Sequence, residues 1–107
     1  MLNIFNIKQN DTSPAIRYTL SPLVNLTGAT VVFNMRARDN GAVKIARAVA
    51  TIIAPATDGV VQYDWAASDT DTAGNWQGEF EITFADAAIE TYPNNGYINI
   101  QITEEIG

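Results

Sequence analysis

Residues 76–84 read WQGEFEITF, and the assignment of the whole chain turns on them. Trp76, Gly78, Phe80, Ile82 and Phe84 fall on one side of an alternation, and Gln77, Glu79, Glu81 and Thr83 fall on the other. Successive side chains of a strand point to opposite faces of its sheet, so this pattern describes a strand with one face in a core and the other outside.

The same period of two recurs on both sides of that stretch. Upstream, Val31, Phe33, Met35 and Ala37 alternate with Asn34, Arg36 and Arg38, and Ile16, Tyr18 and Leu20 alternate with Arg17 and Thr19. Leu2, Ile4 and Ile7 mark a short first strand, ended by QNDTSP. Asp39-Asn40-Gly41 has the residues that tolerate positive φ in a tight hairpin. Val43, Ile45, Ala50 and Ile52 then give one or two further strands, with a helix as the competing reading because Ala and Arg favour it. Val61, Tyr63 and Trp65 share a face. Beyond ADAA and IETYP, the PNNG tetrapeptide reads as the end of a hairpin flanked by Tyr92 and Tyr97, leading to Ile98, Ile100 and Ile102. About eight short strands at this spacing predict an all-β, antiparallel β-sandwich of immunoglobulin-like type, with residues 1–107 as one domain.

Composition narrows the chemistry. The chain of 107 residues has neither cysteine nor histidine, so thiol nucleophiles and the commonest general base are missing, and no enzyme activity or cofactor is expected. No apolar run approaches the roughly 20 residues of a membrane helix, and MLNIFNIKQ lacks the layout of a signal peptide, so no membrane partner is expected. The net charge of −6 argues against a nucleic-acid partner, whose binding needs cations against phosphates. All six bases precede position 48 with only Asp11 and Asp39 against them, a net of +4, whereas the remainder holds ten acids and no base. Two readings follow: basic strands lie beside acidic ones within one fold, or the module is dipolar and its copies attract one another head to tail.

The carboxylates of DTDTAG, residues 69–74, invite a metal reading. Asp69, Asp71 and Gly74 match the first, third and sixth positions of a calcium loop, but Ala73 stands at the fifth and Phe80 at the twelfth, where a bidentate Glu belongs. Asp69 and Asp71 are therefore weak metal candidates, and the better reading is a corner that delivers Trp76 into the core. No catalytic or cofactor-binding residues are assigned. Glu79 and Glu81 are neighbours on the polar side of one strand and read as outward acids. Trp65, Trp76, Phe80 and Phe84 read as core, which leaves Tyr92 and Tyr97 as exposed contact residues. Interface candidates are Leu2, Ile4, Arg36, Arg38, Glu79, Glu81, Tyr92 and Tyr97. Lys8 and Lys44 are also placed to be tested for an internal isopeptide bond to an Asn.

Four segments carry a family resemblance: KQNDTSPAIRYTLSP, LTGATVVFNMR, DTDTAGNWQGEFEITFAD and IETYPNNGYINIQI. Together they resemble the immunoglobulin-like N-terminal domain of tailed-phage baseplate upper proteins and related small phage tail and virion proteins. Leu26, Thr27, Gly28, Val31, Phe33, Met35 and Arg36 fit one motif block, and Asp71, Thr72, Gly74, Trp76, Glu79, Phe80 and Phe84 fit the later ones. Asn10 departs from the pattern, standing where a Gly is usual in the first turn. The resemblance implies a structural virion protein of the tail or baseplate, made in the bacterial host cytoplasm. It would act as a homo-oligomer or multicopy assembly bound to other phage structural proteins. A capsid-decorating or head-fibre protein is the alternative, and a carbohydrate-binding module for host-surface glycan is the alternative of another class.

Overall fold

A computed structural model describes residues 4–106. Nine strands form, in chain order: β1 (Ile4–Lys8), β2 (Ile16–Thr19), β3 (Thr30–Ala37), β4 (Val43–Val49), β5 (Thr51–Ile52), β6 (Val60–Tyr63), β7 (Gly74–Thr83), β8 (Ile89–Tyr92) and β9 (Ile98–Thr103). They make two sheets. The larger runs β1-β9-β7-β3-β4, with β8 also on β7, and the smaller runs β2-β6-β5. All pairings are antiparallel except the edge pair β1·β9, which is parallel. The chain is an all-β, immunoglobulin-like β-sandwich.

The alternation of WQGEFEITF decides this arrangement. β7 is the central strand of the larger sheet and pairs with β3 along its whole length, Thr30↔Thr83 through Ala37↔Trp76. Trp76, Phe80 and Ile82 are buried beside Val31, Phe33 and Met35. The smaller sheet contributes Ile16, Val61 and Tyr63 from the other side, followed by Trp65 just beyond β6. Phe33 lies at the centre, its ring 4.8 Å from Tyr63, 4.9 Å from Phe80 and edge-on to Trp65 at 5.9 Å. Such offset and edge-to-face contacts add to what area burial alone provides.

Some local features depart from the sequence reading, and others complete it. In β1 the pair facing in is Phe5 and Ile7, while Ile4 points outward, because the parallel register with β9 places Phe5 and Ile7 opposite the buried Ile100 and Ile102. Leu2 lies outside the described residues. The stretch 43–52 is two strands in different sheets: β4 pairs with β3, and after Ala50 the chain crosses to pair as β5 with β6. A bulge at Arg47, whose φ is 52°, twists β4 before that crossing, and the Asn34 Oδ1 accepts the displaced Arg47 N–H at 2.7 Å.

The PNNG segment does not close a hairpin. One side of β7 is shared by β9, along Gly74–Gly78, and β8, along Phe80–Thr83. Since both are antiparallel to β7, they run in the same direction and follow one another in tandem, with residues 93–97 bulging out between them. Tyr92 therefore belongs to a strand facing the core. It is 0 % exposed, which removes it from the contact candidates.

Candidate interaction surfaces

The DTDTAG segment is a corner held by its own side chains. The Asp69 Oδ2 accepts the Tyr63 hydroxyl at 2.6 Å and the Ala66 N–H at 2.7 Å, which locks the turn behind Trp65. Thr70 is completely buried and donates its hydroxyl to the Asp11 carbonyl at 2.7 Å, while its own carbonyl accepts the Asn10 N–H at 2.9 Å. Asn10 has φ 70°, a left-handed conformation that Asn tolerates better than other non-glycine residues, so it does the work expected of the usual Gly. Asp71 turns the other way, accepting from Lys44 Nζ at 2.6 Å and Thr72 Oγ1 at 2.9 Å. Those hydrogen bonds hold the Asp71 carboxyl below its ordinary range. The two aspartates thus face different protein partners, and among the described residues no group of three or more acidic side chains converges. Gly74 leaves the corner at φ 146°, and Trp76 enters the core two residues later.

Lys44 meets a carboxylate rather than an Asn, so its contact is an ion pair. Among the described residues it is one of two ion pairs between the basic first part and the acidic remainder. The other joins Arg47 to Glu81 across the outer face of the larger sheet. These pairs place oppositely charged strands side by side within one copy, so part of the charge contrast along the chain is spent inside the fold. Arg38 lies 3.9 Å from its neighbour Asp39 at the tip of the β3–β4 hairpin, with both side chains well exposed. Lys8, Arg17 and Arg36 have no carboxylate partner among the described residues.

The outer face of the larger sheet gathers four of the interface candidates. Arg36, Glu79, Glu81 and Tyr97 line one shallow groove of about 420 Å³, together with Asn34 and Gln77. The Arg36 guanidinium stands 4.7 Å over the Tyr97 ring and donates to the Gln77 Oε1 at 3.0 Å. Tyr97 is 42 % exposed and is the one exposed aromatic among the described residues, with a ring face already covered by Arg36. Trp65 and Trp76 are buried.

The strand edges are the second kind of surface. β1 and β4 end the larger sheet, β8 pairs on one side only, with β7, and β2 and β5 end the smaller sheet. β4 carries the devices that discourage pairing with other chains, namely the bulge at Arg47 and the charges of Lys44 and Arg47. β5 is two residues long. β1 and β2 are in register with their partners, without a bulge, and each bears one base, Lys8 or Arg17. Their edges border a cleft of about 540 Å³ lined by Ile4, Phe5, Ile16–Thr19, Pro93, Ile98 and neighbours, which the sequence reading did not anticipate. Nothing in the one-dimensional pattern shows that two edges from different sheets will face one another.

Comparison with known proteins adds a fold and no function. No family model matches the chain, and no curated protein matches it. Among solved structures it is similar to CopC from Methylosinus trichosporium OB3b, with a TM-score of 0.55 and 10% identity over 96% of this chain and 86% of that one. At that identity the likeness shows the immunoglobulin-like β-sandwich alone.

Proposed function

We propose that this chain is a structural module of a tailed-phage particle, in the tail or baseplate, that works by docking against neighbouring protein subunits. The observation that supports docking is the set of uncovered strand edges carrying aliphatic side chains outward. Ile4 on β1 is 51 % exposed, and β2 pairs on one side only, with β6. Edges of this kind join chains by backbone pairing, with side chains selecting the partner. The placement in a phage particle rests on the motif resemblance in the LTG, DTDTAG and WQGEFEITF blocks. Partners are other phage structural proteins or further copies of this chain. The work is binding, with no reaction catalysed.

Density-gradient purification of the phage, with mass spectrometry of separated heads and tails, tests this reading. The protein is expected in tails or baseplates in a fixed copy number. Recovery on heads alone would move it to the capsid-decorating alternative, and absence from particles would refute the virion role. A glycan-binding role would have to run through Tyr97, and no second observation favours it.

A further inference from the structure

Every residue of β2, which pairs on one side only, lines a single cleft. Ile16, Arg17, Tyr18 and Thr19 line the 540 Å³ cleft, and Ile4 and Phe5 of β1 border it from the other sheet. A second cleft of about 290 Å³ is lined by the next three β1 residues, Asn6, Ile7 and Lys8, with Asp11, Ser13 and Pro14 opposite. The two clefts follow one another along β1 as one seam, the first against β2 and the second against the loop that leads into β2.

The two edges are not equally available. The β1 carbonyls of Ile4 and Lys8 already accept the Asn6 side chain and the Asp11 N–H. The backbone of β2 bonds only toward β6 among the described residues, which leaves its outer edge open. Apolar side chains line the floor beside that edge: Ile4, Phe5, Tyr18, Pro93 and Ile98. The charge is equally one-sided. Of the three bases without a carboxylate partner, Lys8 and Arg17 both border the seam, and Asp11 is the one acid lining it. Arg17 donates to the Oε1 of Gln62, its neighbour on β6, at 2.7 and 2.9 Å, and Gln62 in turn donates to Asp64 at 2.9 Å, so the guanidinium meets no carboxylate directly. In a protein of net charge −6, a locally basic seam stands out.

We propose that this seam is a strand-docking groove, and that its occupant is an extended, acidic segment of a neighbouring protein chain. The segment pairs with the outer edge of β2. Its alternate apolar side chains enter the gap between the sheets, and its carboxylates meet Arg17 and Lys8. At about 3.3 Å per residue, four to five residues of the occupant span the edge. The inference deepens the docking reading above and does not depend on the particle.

The test uses a fluorescein-labelled peptide of about eight residues alternating Val and Glu, blocked at both ends. Controls are its Lys-for-Glu counterpart and a peptide of the same composition with the Val and Glu residues in two blocks. Anisotropy should show saturable binding of the alternating acidic peptide alone, weakened about tenfold by the double variant Lys8→Glu/Arg17→Glu, with the Lys peptide now preferred. Hydrogen exchange of the unaltered protein should gain protection at residues 16–19 when that peptide is present. Absence of saturable binding overturns the inference, as does equal affinity for the block peptide or protection confined to other strands. Peptide binding here by a protein missing from particles would leave the groove standing and remove the virion role; incorporation into particles without peptide binding would do the reverse.

Discussion

Gly78 is the residue of β7 on which the packing of the sandwich can be tested most sharply. It is buried on the inward face between Trp76 and Phe80, and a Cβ built there would stand 2.8 Å from Ile100 Cδ1 and 3.0 Å from Phe33 Cζ. Phe33 is fully buried and stacked between Tyr63 and Phe80, so it has little room to retreat. Overpacking a tight core costs about 1–3 kcal/mol, from which about 0.5–1 kcal/mol is recovered because Ala suits a strand better than Gly. Gly78→Ala should therefore lose about 0–2.5 kcal/mol, and a loss of about 1 kcal/mol, near the middle, lowers Tm by roughly 4–8 °C for a domain of this size. Ile100→Val deletes the nearer obstructing atom and alone costs about 0.5–1.5 kcal/mol. If the contact is the cause, the double variant should be at least about 0.5 kcal/mol more stable than the two single losses added together. Urea titration of the four proteins measures all the terms. Strict additivity with Ile100→Val would refute this packing of β7 against β3 and β9.

Further outcomes follow from the hydroxyls and carboxylates. Removing the same oxygen from two tyrosines should have opposite effects. Tyr63→Phe loses the 2.6 Å bond to Asp69 and should destabilise by about 1–2 kcal/mol, whereas Tyr92→Phe removes a buried hydroxyl that has no hydrogen-bond partner and should be neutral or stabilising by up to about 1 kcal/mol. Urea midpoints decide both. Thr70→Val strips the Asp11 carbonyl of its donor inside the corner and should cost about 1–2 kcal/mol by the same measurement. The Asp71 carboxyl is held below its ordinary value of 3.8, chiefly by Lys44, so its contribution is present above that pH and lost as pH falls through the lower folded value; Asp71→Asn should flatten this acid limb of a stability profile. Burial raises the phenols of Tyr63, Tyr18 and Tyr92 above 10.0, so stability should decline as pH rises past that point, where the unfolded chain ionises first. Calcium is expected to leave Tm unchanged. A site at DTDTAG with a dissociation constant of about 1 mM would instead add about 1.4 kcal/mol at about 10 mM calcium.

The central strands were legible in the sequence because they pair with one another in unbroken register over eight residues. In β3 and β7 every second residue meets the core, so period two is unbroken from Val31 to Ala37 and from Trp76 to Ile82. The edges were not legible, because there the pattern depends on partners far along the chain. Ile4 looks like a core residue until the parallel register with β9 sends Phe5 and Ile7 inward instead. Tyr92 looks like a hairpin tip until β8 and β9 are seen to share one side of β7. The turn at Asp69 and Asp71 was visible in DTDTAG, but the Tyr63 and Lys44 contacts that occupy those carboxylates join residues 6 and 27 positions apart. The seam between β1 and β2 left no local mark at all, since it exists only where two sheets end beside one another.

Hydrogen exchange comparing the free protein with the protein in its assembled state bears most directly on docking through uncovered edges. Protection gained on assembly should concentrate in β2 and the adjoining residues of β1, with the interior of β7 unchanged because it is already paired on both sides. An identical exchange pattern in the two states, or protection gained only in the β3–β4 hairpin while β1 and β2 stay as they were, would contradict it.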